Sequence, residues 1–320
     1  MRKYIKNNTF VSLTGGLGNQ LFQLAAGLYV SNNDQLTLEY KLGKPRLNAY
    51  SFPEVTSFTL PRGVMVRKES RTSFFASKAF GYVLRQGIDV RFYERLVGFR
   101  FVSRFFAGLV ISVYFKRLLL LKVSNNVGFS LISKSDKGKL LIGYFQSYLW
   151  MNDRDVLTKM RQIELVEENS RVNYFSRLAK VEKPLIVHVR LGDYKNESLF
   201  GIPSSKYYSK AVSELLISGD YGRVWIFSDE IGIAQKFFGS DLPSDSRWMI
   251  NEGESAAQTL EIMRHGKGYV IANSTFSWWA AFLSYTANPA VIAPNPWFRF
   301  LDGPKDLIPP NWYLMHGWIE

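Results

Sequence analysis

The chain has 320 residues, of which 47% are hydrophobic and 21% charged, and it contains no cysteine. That length suits about two ordinary domains, each with a core of its own, and the missing thiols exclude disulfides, cysteine-zinc sites and cysteine nucleophiles. A net charge of +13 brings anionic partners, membrane surface or nucleic acid, into consideration.

The opening MRKYIKNNTF is polar and shows no secretory pattern, so a cytoplasmic protein is expected. Residues 10–13 (FVSL) read as a short strand and 14–18 (TGGLG) as a glycine turn. From residue 19 onward the pattern predicts a helix with Leu21, Phe22, Leu24, Ala25, Leu28 and Tyr29 inward. The alternation of QLTLEY, 35–40, predicts a second strand. From about 62 to 135 the chain is basic and aromatic-rich, with thirteen Lys and Arg against three acidic residues between 62 and 122, a net of +10. Helix is expected there, either with a solvated basic face or as a patch for a peripheral membrane contact at the inner face of a bacterial membrane. Lys116 and Arg117 interrupt its apolar run before the ~20 residues that a membrane span needs.

Residues 140–150 (LLIGYFQSYLW) read as a strand running into a turn, followed by helices from Asp153 and near 169–179. After Lys183-Pro184 the alternation is regular. Strands are expected at 185–190, 223–228, 248–250, 268–272 and 290–293, and helices at 205–217, 230–238, 254–265 and 275–284. Repeated strand and helix predict an α/β fold with parallel strands covered on both faces. The domain boundary is expected near residue 180.

Ligands of open α/β sheets bind outside the carboxyl ends of the strands. Four polar clusters fall at such ends: Gly15 to Asn19, Arg190 to Asp193, Ser228 to Glu230, and Asn273 to Thr275. TGGLGNQ is not a dinucleotide fingerprint, because Leu21 stands where the last glycine would be, and it lacks the lysine of a P-loop. It is either a plain tight turn or a loop that admits an anion at a helix start. Ser274, Thr275 and Ser277 surround another helix start. They read as an ordinary cap or as a phosphate contact. The three histidines, His188, His265 and His316, are too scattered for a zinc pattern.

GGLGNQLFQ, GYFQSY, HVRLGDY, FSDE, NSTFSWWAA and VIAPNPWF follow one another in that order. Together, over residues 10–298, they resemble the α-1,2-fucosyltransferases of glycosyltransferase family 11. The resemblance implies a GT-B-like fold of two Rossmann-like domains facing a cleft. The first, 1–180, would be the acceptor side with an insertion near 62–135. The second, 181–320, would bind the donor. It implies inverting transfer of L-fucose from GDP-β-L-fucose to the 2-hydroxyl of a galactoside in a surface glycan of O-antigen or capsule type, with no metal or other cofactor. Asp153-Arg154-Asp155 spells a D-x-D metal motif, but it opens a helix, where acidic residues suit the dipole.

The resemblance assigns Arg190 to the leaving diphosphate, where a fixed guanidinium does the work of a metal, and places His188 beside the nucleotide. It makes Asp229 the reader of the guanine edge and Ser274, Thr275 and Ser277 phosphate contacts. Gly18 and Asn19 belong to the first-domain loop over the diphosphate, and Gln146 and Tyr148 to the acceptor side. Asp193 is read either as catalytic base or as a brace for Arg190. The glutamate that related α-1,6 enzymes use as a base is replaced by Ser198, with Glu197 beside it. Leu191 stands where many relatives carry a second arginine. Two alternatives remain beside this reading. One is another GDP-sugar transferase of different linkage. The other is a non-catalytic basic protein binding membrane or nucleic acid, which the order of the motifs disfavours.

Overall fold

A computed structural model of the chain describes residues 8–31, 35–40, 53–68, 122–126, 128–129, 139–192, 200–300 and 302–318. Elements are numbered among these. The chain divides into two compact units, the first including the described residues up to Thr56 and from Leu60 to Lys159, the second Ser57–Thr59 and the chain from Met160.

In unit 1 the strands are β1 (Asn8–Ser12), β2 (Gln35–Tyr40), β3 (Val64–Lys68), β4 (Lys122–Asn126) and β5 (Lys139–Gly143), with helix α1 (Leu17–Ser31) after β1. All pair in parallel, in the order β3-β2-β1-β5-β4. Every residue of β1 and β5 is buried, as a parallel sheet covered on both faces requires. Short 3₁₀ turns at Glu54–Ser57 and Tyr148–Asn152 complete it, and α2 (Arg154–Arg161) reaches the division. Asp153 Oδ1 caps α2 by accepting from the N–H of Asp155 at 3.0 Å and of Val156 at 3.3 Å, and Asp155 pairs with Lys159. The D-x-D letters therefore serve a helix start.

Unit 2 holds β6 (Leu185–Val189), β7 (Val224–Ser228), β8 (Arg247–Trp248), β9 (Gly268–Val270), β10 (Ala290–Asn295) and β11 (Tyr313–His316). They too are all parallel, in the order β11-β10-β9-β6-β7-β8. Its helices are α3 (Ser170–Glu182), α4 (Ser205–Ser218), α5 (Ile231–Phe238), α6 (Ala256–Arg264) and α7 (Thr275–Phe282). Local chemistry sets their starts. Asn169, Ser204 and Ser255 each cap a helix through the side chain, the last as a full capping box with Gln258. The α/β class with parallel strands is the one expected from the alternation of elements, and two Rossmann-like units are what the resemblance implies.

Four expectations change. The segment 62–135 is expected to be helical, but its described residues include two strands, β3 and β4; residues 69–121, which carry most of the +10 charge, lie outside the described residues. Helix α1 starts at Leu17 rather than Asn19, so Gly18 is part of its first turn. A further strand, β11, follows the one expected to close the series. Finally, the division falls at Lys159 rather than near 180. Buried Arg264 donates to the carbonyls of Leu283 at 3.0 Å and Ile163 at 3.2 Å and to Glu261 at 2.9 Å. Glu182, at the end of α3, accepts from Arg223, Trp225 and Arg247. These bonds join residues 160–182 to the rest of unit 2.

Both strand orders change side of the first strand once. In unit 1 the chain steps outward from β1 to β3, crosses to β4 at the far edge and comes back to β5 next to β1. In unit 2 it steps from β6 to β8 and returns with β9 next to β6. Each change of side leaves a crevice at the carboxyl ends of two neighbouring strands, the usual ligand position in such sheets.

Candidate active site

The crevice of unit 2 lies between the ends of β6 and β9. His188 is the fourth residue of β6 and is buried, 4% exposed. Its ring centroid is 5.7 Å from that of Phe276 in the first turn of α7, the helix that follows β9. Burial, and then the Arg190 charge, push the His188 pKa down to about 4, so the imidazole is neutral near pH 7. Its Nδ1 is buried and has no hydrogen-bond partner among the described residues. Buried polar atoms are seldom left in that state, so Nδ1 is a ready contact for a ligand.

Arg190 and Leu191 follow directly. Leu191 is 2% exposed and packs in the unit 2 core with Val189, Tyr207 and Tyr208. Position 191 thus points into apolar surroundings, and Arg190 carries the guanidinium at this strand end. Its Nε lies 3.2 Å from Asp229 Oδ2, and Asp229 follows β7, the neighbour of β6. The same carboxylate accepts the backbone N–H of Leu191 at 2.9 Å and of Gly192 at 3.0 Å. The residue expected to read a guanine edge is thus already engaged by the turn after β6. Asp193, Glu197 and Ser198 lie outside the described residues.

At the start of α7, Ser274 is the cap, its Oγ accepting from the N–H of Phe276 at 3.4 Å. Ser277 is fully buried, and its hydroxyl donates to the Ser274 carbonyl at 3.1 Å. Thr275 is partly buried at the first helical position. The first-turn N–H groups and helix dipole favour an anion here. Trp278 and Trp279 are fully buried core residues.

The crevice of unit 1 is built from amides. Gly15 adopts φ +74°, and a Cβ there would collide with the Asn19 side-chain amide, so only glycine closes this turn so tightly. Gln23, fully buried, accepts the N–H of Thr14 at 3.0 Å and donates to the carbonyl of Gly143 at 2.7 Å. Gln20 donates to Gly15 and accepts from Val55, each at 3.0 Å. Gln146 Nε2 donates to Asn19 Oδ1 at 2.9 Å, which brings two candidate residues together. Tyr148 begins a 3₁₀ turn capped by Ser147 and is partly buried. Phe145, a non-glycine residue at φ +53°, is held by a bond of 2.7 Å from Trp150 Nε1 to its carbonyl. Gln20, Gln23, Phe145 and Trp150 were not picked out from the sequence. The repeated Q of GNQLFQ, falling on one helix face at i and i+3, is the signal that points to the first two.

Among the described residues no group of three or more His, Asp or Glu side chains is placed to hold a metal ion, and no helix is long and apolar enough to cross a membrane.

Residues 135–316 match the family model "Glycosyl transferase family 11", more than half of the chain. An alpha-1,2-colitosyltransferase of Escherichia coli is 26% identical over 90% of this chain and 91% of its own length. The O-antigen biosynthesis glycosyltransferase WbnK, also of Escherichia coli, is 24% identical over 89% of this chain and 93% of its own. Among solved structures, NodZ alpha-1,6-fucosyltransferase soaked with GDP-fucose gives a TM-score of 0.49 at 14% identity, covering 93% of this chain and 99% of that one; NodZ comes from Bradyrhizobium.

Proposed function

This chain belongs to glycosyl transferase family 11, and from that premise we propose that it is an inverting α-1,2-fucosyltransferase. It moves L-fucose from GDP-β-L-fucose to the 2-hydroxyl of a galactoside in an O-antigen or capsule-type glycan, without a metal. The observation that carries this reading is the end of β6, where one guanidinium, Arg190, is held in place by Asp229, one residue beyond the strand whose neutral His188 has an open Nδ1.

The chemistry asks for little more. The galactoside 2-hydroxyl oxygen attacks C1 of fucose from the face opposite the diphosphate, the C1–O bond breaks, and GDP departs with the added negative charge. Arg190 meets that charge on the β-phosphate, being planar, permanently protonated and able to bond two oxygens at once. The amides at the start of α7, with Ser274 and Thr275, take further phosphate oxygens. Ser277 holds that turn from within. His188 Nδ1 bonds the nucleotide. Gly18 and Asn19, in the first turn of α1, are the unit 1 candidates on the donor side of this reading, and Gln146 with Tyr148 those for the acceptor. The proton of the attacking hydroxyl goes to a base, Asp193 in this reading, a step worth ~10²–10⁴-fold.

A second reading rests on the colitosyltransferase relative. Colitose is fucose without its 3-hydroxyl, so the same anionic leaving group and linkage would serve a different donor. O-antigen assembly, named by the WbnK relative, suits either sugar.

The test is direct. GDP should raise the melting temperature, a gain of about 2.7 kcal/mol at a hundred times Kd. GDP-fucose and GDP-colitose are then offered with Galβ1-3GalNAc, Galβ1-4GlcNAc and lactose, and the product linkage is read by NMR. Transfer from GDP-fucose to O2 of galactose supports the first reading, and preference for GDP-colitose the second. No shift with GDP and no transfer from either donor sinks both. A peripheral membrane contact through the basic 62–122 segment predicts co-sedimentation with anionic liposomes that fades with salt; a protein that ignores such liposomes at physiological salt refutes it.

A further inference from the structure

We infer that Asp229 is a positioning residue for Arg190 and the turn after β6, and is not a reader of the nucleotide base; this rests on the assignment of Arg190 to the diphosphate.

Three donors converge on one carboxylate. The N–H of Leu191 reaches Oδ1 at 2.9 Å. The N–H of Gly192 reaches Oδ2 at 3.0 Å. Arg190 Nε lies 3.2 Å from the same Oδ2. Three consecutive residues after β6 are thus tied to a single side chain on the neighbouring strand's loop. Strand pairing sets the distance: Val189 lies opposite Ser228, so the residues following each strand are also neighbours.

Gly192 fits the same purpose. A Cβ there would sit 2.7 Å from Asp229 Oδ2, so the missing side chain is what lets the carboxylate come so close to the backbone. From below, Leu191 anchors the turn in the core. The turn is therefore pinned by an apolar side chain on one side and a carboxylate on the other. Arg190, partly exposed between them, stays with Asp229 through its Nε.

Reading a guanine edge would need both Asp229 oxygens to accept from ring N1–H and the exocyclic amine. The Gly192 N–H and Arg190 Nε fill Oδ2 and the Leu191 N–H takes one site on Oδ1, so about one of the carboxylate's ~four acceptor sites stays open. Paired reading of a base needs a site on each oxygen, and would displace Gly192 or the guanidinium at the moment when its placement matters. Misplacing a catalytic group by ~1 Å can cost on the order of 100-fold in rate, so a group that fixes Arg190 contributes through geometry alone.

The experiment compares wild type, Asp229→Asn and Gly192→Ala in the full-length protein, each checked for folding by thermal melt. Affinities for GMP, GDP and IDP are measured, with kcat and KM for transfer. IDP lacks the exocyclic amine, so the GDP-to-IDP ratio reports base reading. The GDP-to-GMP ratio reports the β-phosphate. In Asp229→Asn, the GDP-to-GMP ratio and kcat should fall about 10–100-fold, and the GDP-to-IDP ratio should not move. Gly192→Ala should reproduce this pattern, although it removes no polar group. In an Arg190→Ala background, Asp229→Asn should add little further loss. Without any ligand, amide exchange at Leu191 and Gly192 should quicken in Asp229→Asn.

A collapse of the GDP-to-IDP ratio in Asp229→Asn would overturn the inference and restore base reading. So would unchanged amide exchange at both positions, or unchanged kcat and GDP affinity. A wild-type protein that binds no GDP would refute the proposed function instead, and the exchange measurement would still judge the brace.

Discussion

The two units end their central strands in different chemistry. At the β1/β5 crevice of unit 1 the placed side chains are neutral amides, Asn19, Gln20, Gln23 and Gln146, and their bonds close on backbone or on each other. At the β6/β9 crevice of unit 2 they are charged or titratable: Arg190, Asp229 and a buried neutral His188. Amides shape a loop without committing it to a charge. A guanidinium held by a carboxylate is suited to a ligand whose charge changes during reaction. In the proposed reading the leaving-group work falls to unit 2, and the amides of unit 1, with Glu54 near Gly16, suit a sugar.

The largest test of this contrast is Arg190→Ala. Transfer should fall by on the order of 10³-fold in kcat, the size lost with a main stabiliser of developing charge, while the melting temperature changes little. Arg190→Lys should recover only part, since a point charge cannot bond two oxygens in a plane. Steady-state kinetics check both. A loss confined to a higher KM, with kcat unchanged, would show that Arg190 binds ground state and transition state equally.

The matching change in unit 1 should act on stability. Gln23→Leu keeps the volume but leaves the buried Gly143 carbonyl, and the more exposed Thr14 N–H, without their partner. A buried unpaired group costs about 1–3 kcal/mol, so a loss toward the upper end of that range in urea unfolding is expected, with little dependence on salt. If the loss instead tracks ionic strength, the amide description of unit 1 is wrong.

Much of unit 2 was legible in the sequence because its signals are local. Alternating strand and helix, serine and asparagine caps and a motif histidine are all read within a few residues. The Gln23 staple was not legible, because its partner carbonyl lies 120 residues away. Asp229 was legible as a site residue but not as a brace, since its two backbone donors come from 37 and 38 residues earlier and only the pairing of β6 with β7 brings them together. Strand β11 was missed because an edge strand with exposed Tyr313 and Leu314 has no apolar alternation to announce it. Leu191 read as a loss of charge, and its role in the core became visible only once the strand had a direction.

His188 gives the next test, of about 2 kcal/mol. Its folded pKa, about 4, is below the ordinary 6.5. Between those values the unfolded chain takes up a proton and the folded chain does not, so folding loses free energy as pH falls from about 6.5 toward 4 and is unaffected above 7. By pH 5 the loss should be about 2 kcal/mol. Arg190 reinforces the effect and Asp229 opposes it. In urea unfolding followed against pH, His188→Asn should flatten this slope, whereas Gln23→Leu should shift the curve without changing its shape. An unchanged slope in His188→Asn would mean that other groups set the acid limit.

The smallest expected effect sits on the one bond joining two candidate residues of unit 1. Gln146 donates to Asn19 at 2.9 Å and is nearly buried. A neutral bond of this kind is worth about 1 kcal/mol net, which is roughly fivefold in a binding constant. If Gln146 faces the acceptor, Gln146→Ala should raise the acceptor KM by about fivefold and leave the GDP affinity as it is, because uniform binding of one substrate is all that is removed. Asn19→Ala removes the other end of the same bond and lies in the loop assigned to the donor sugar, so it should move both constants. The pair therefore separates the two faces of one hydrogen bond. If Gln146→Ala moves the donor constants instead, the amide crevice belongs to the donor, and the division of labour between an amide-lined acceptor surface and a charged donor site is wrong.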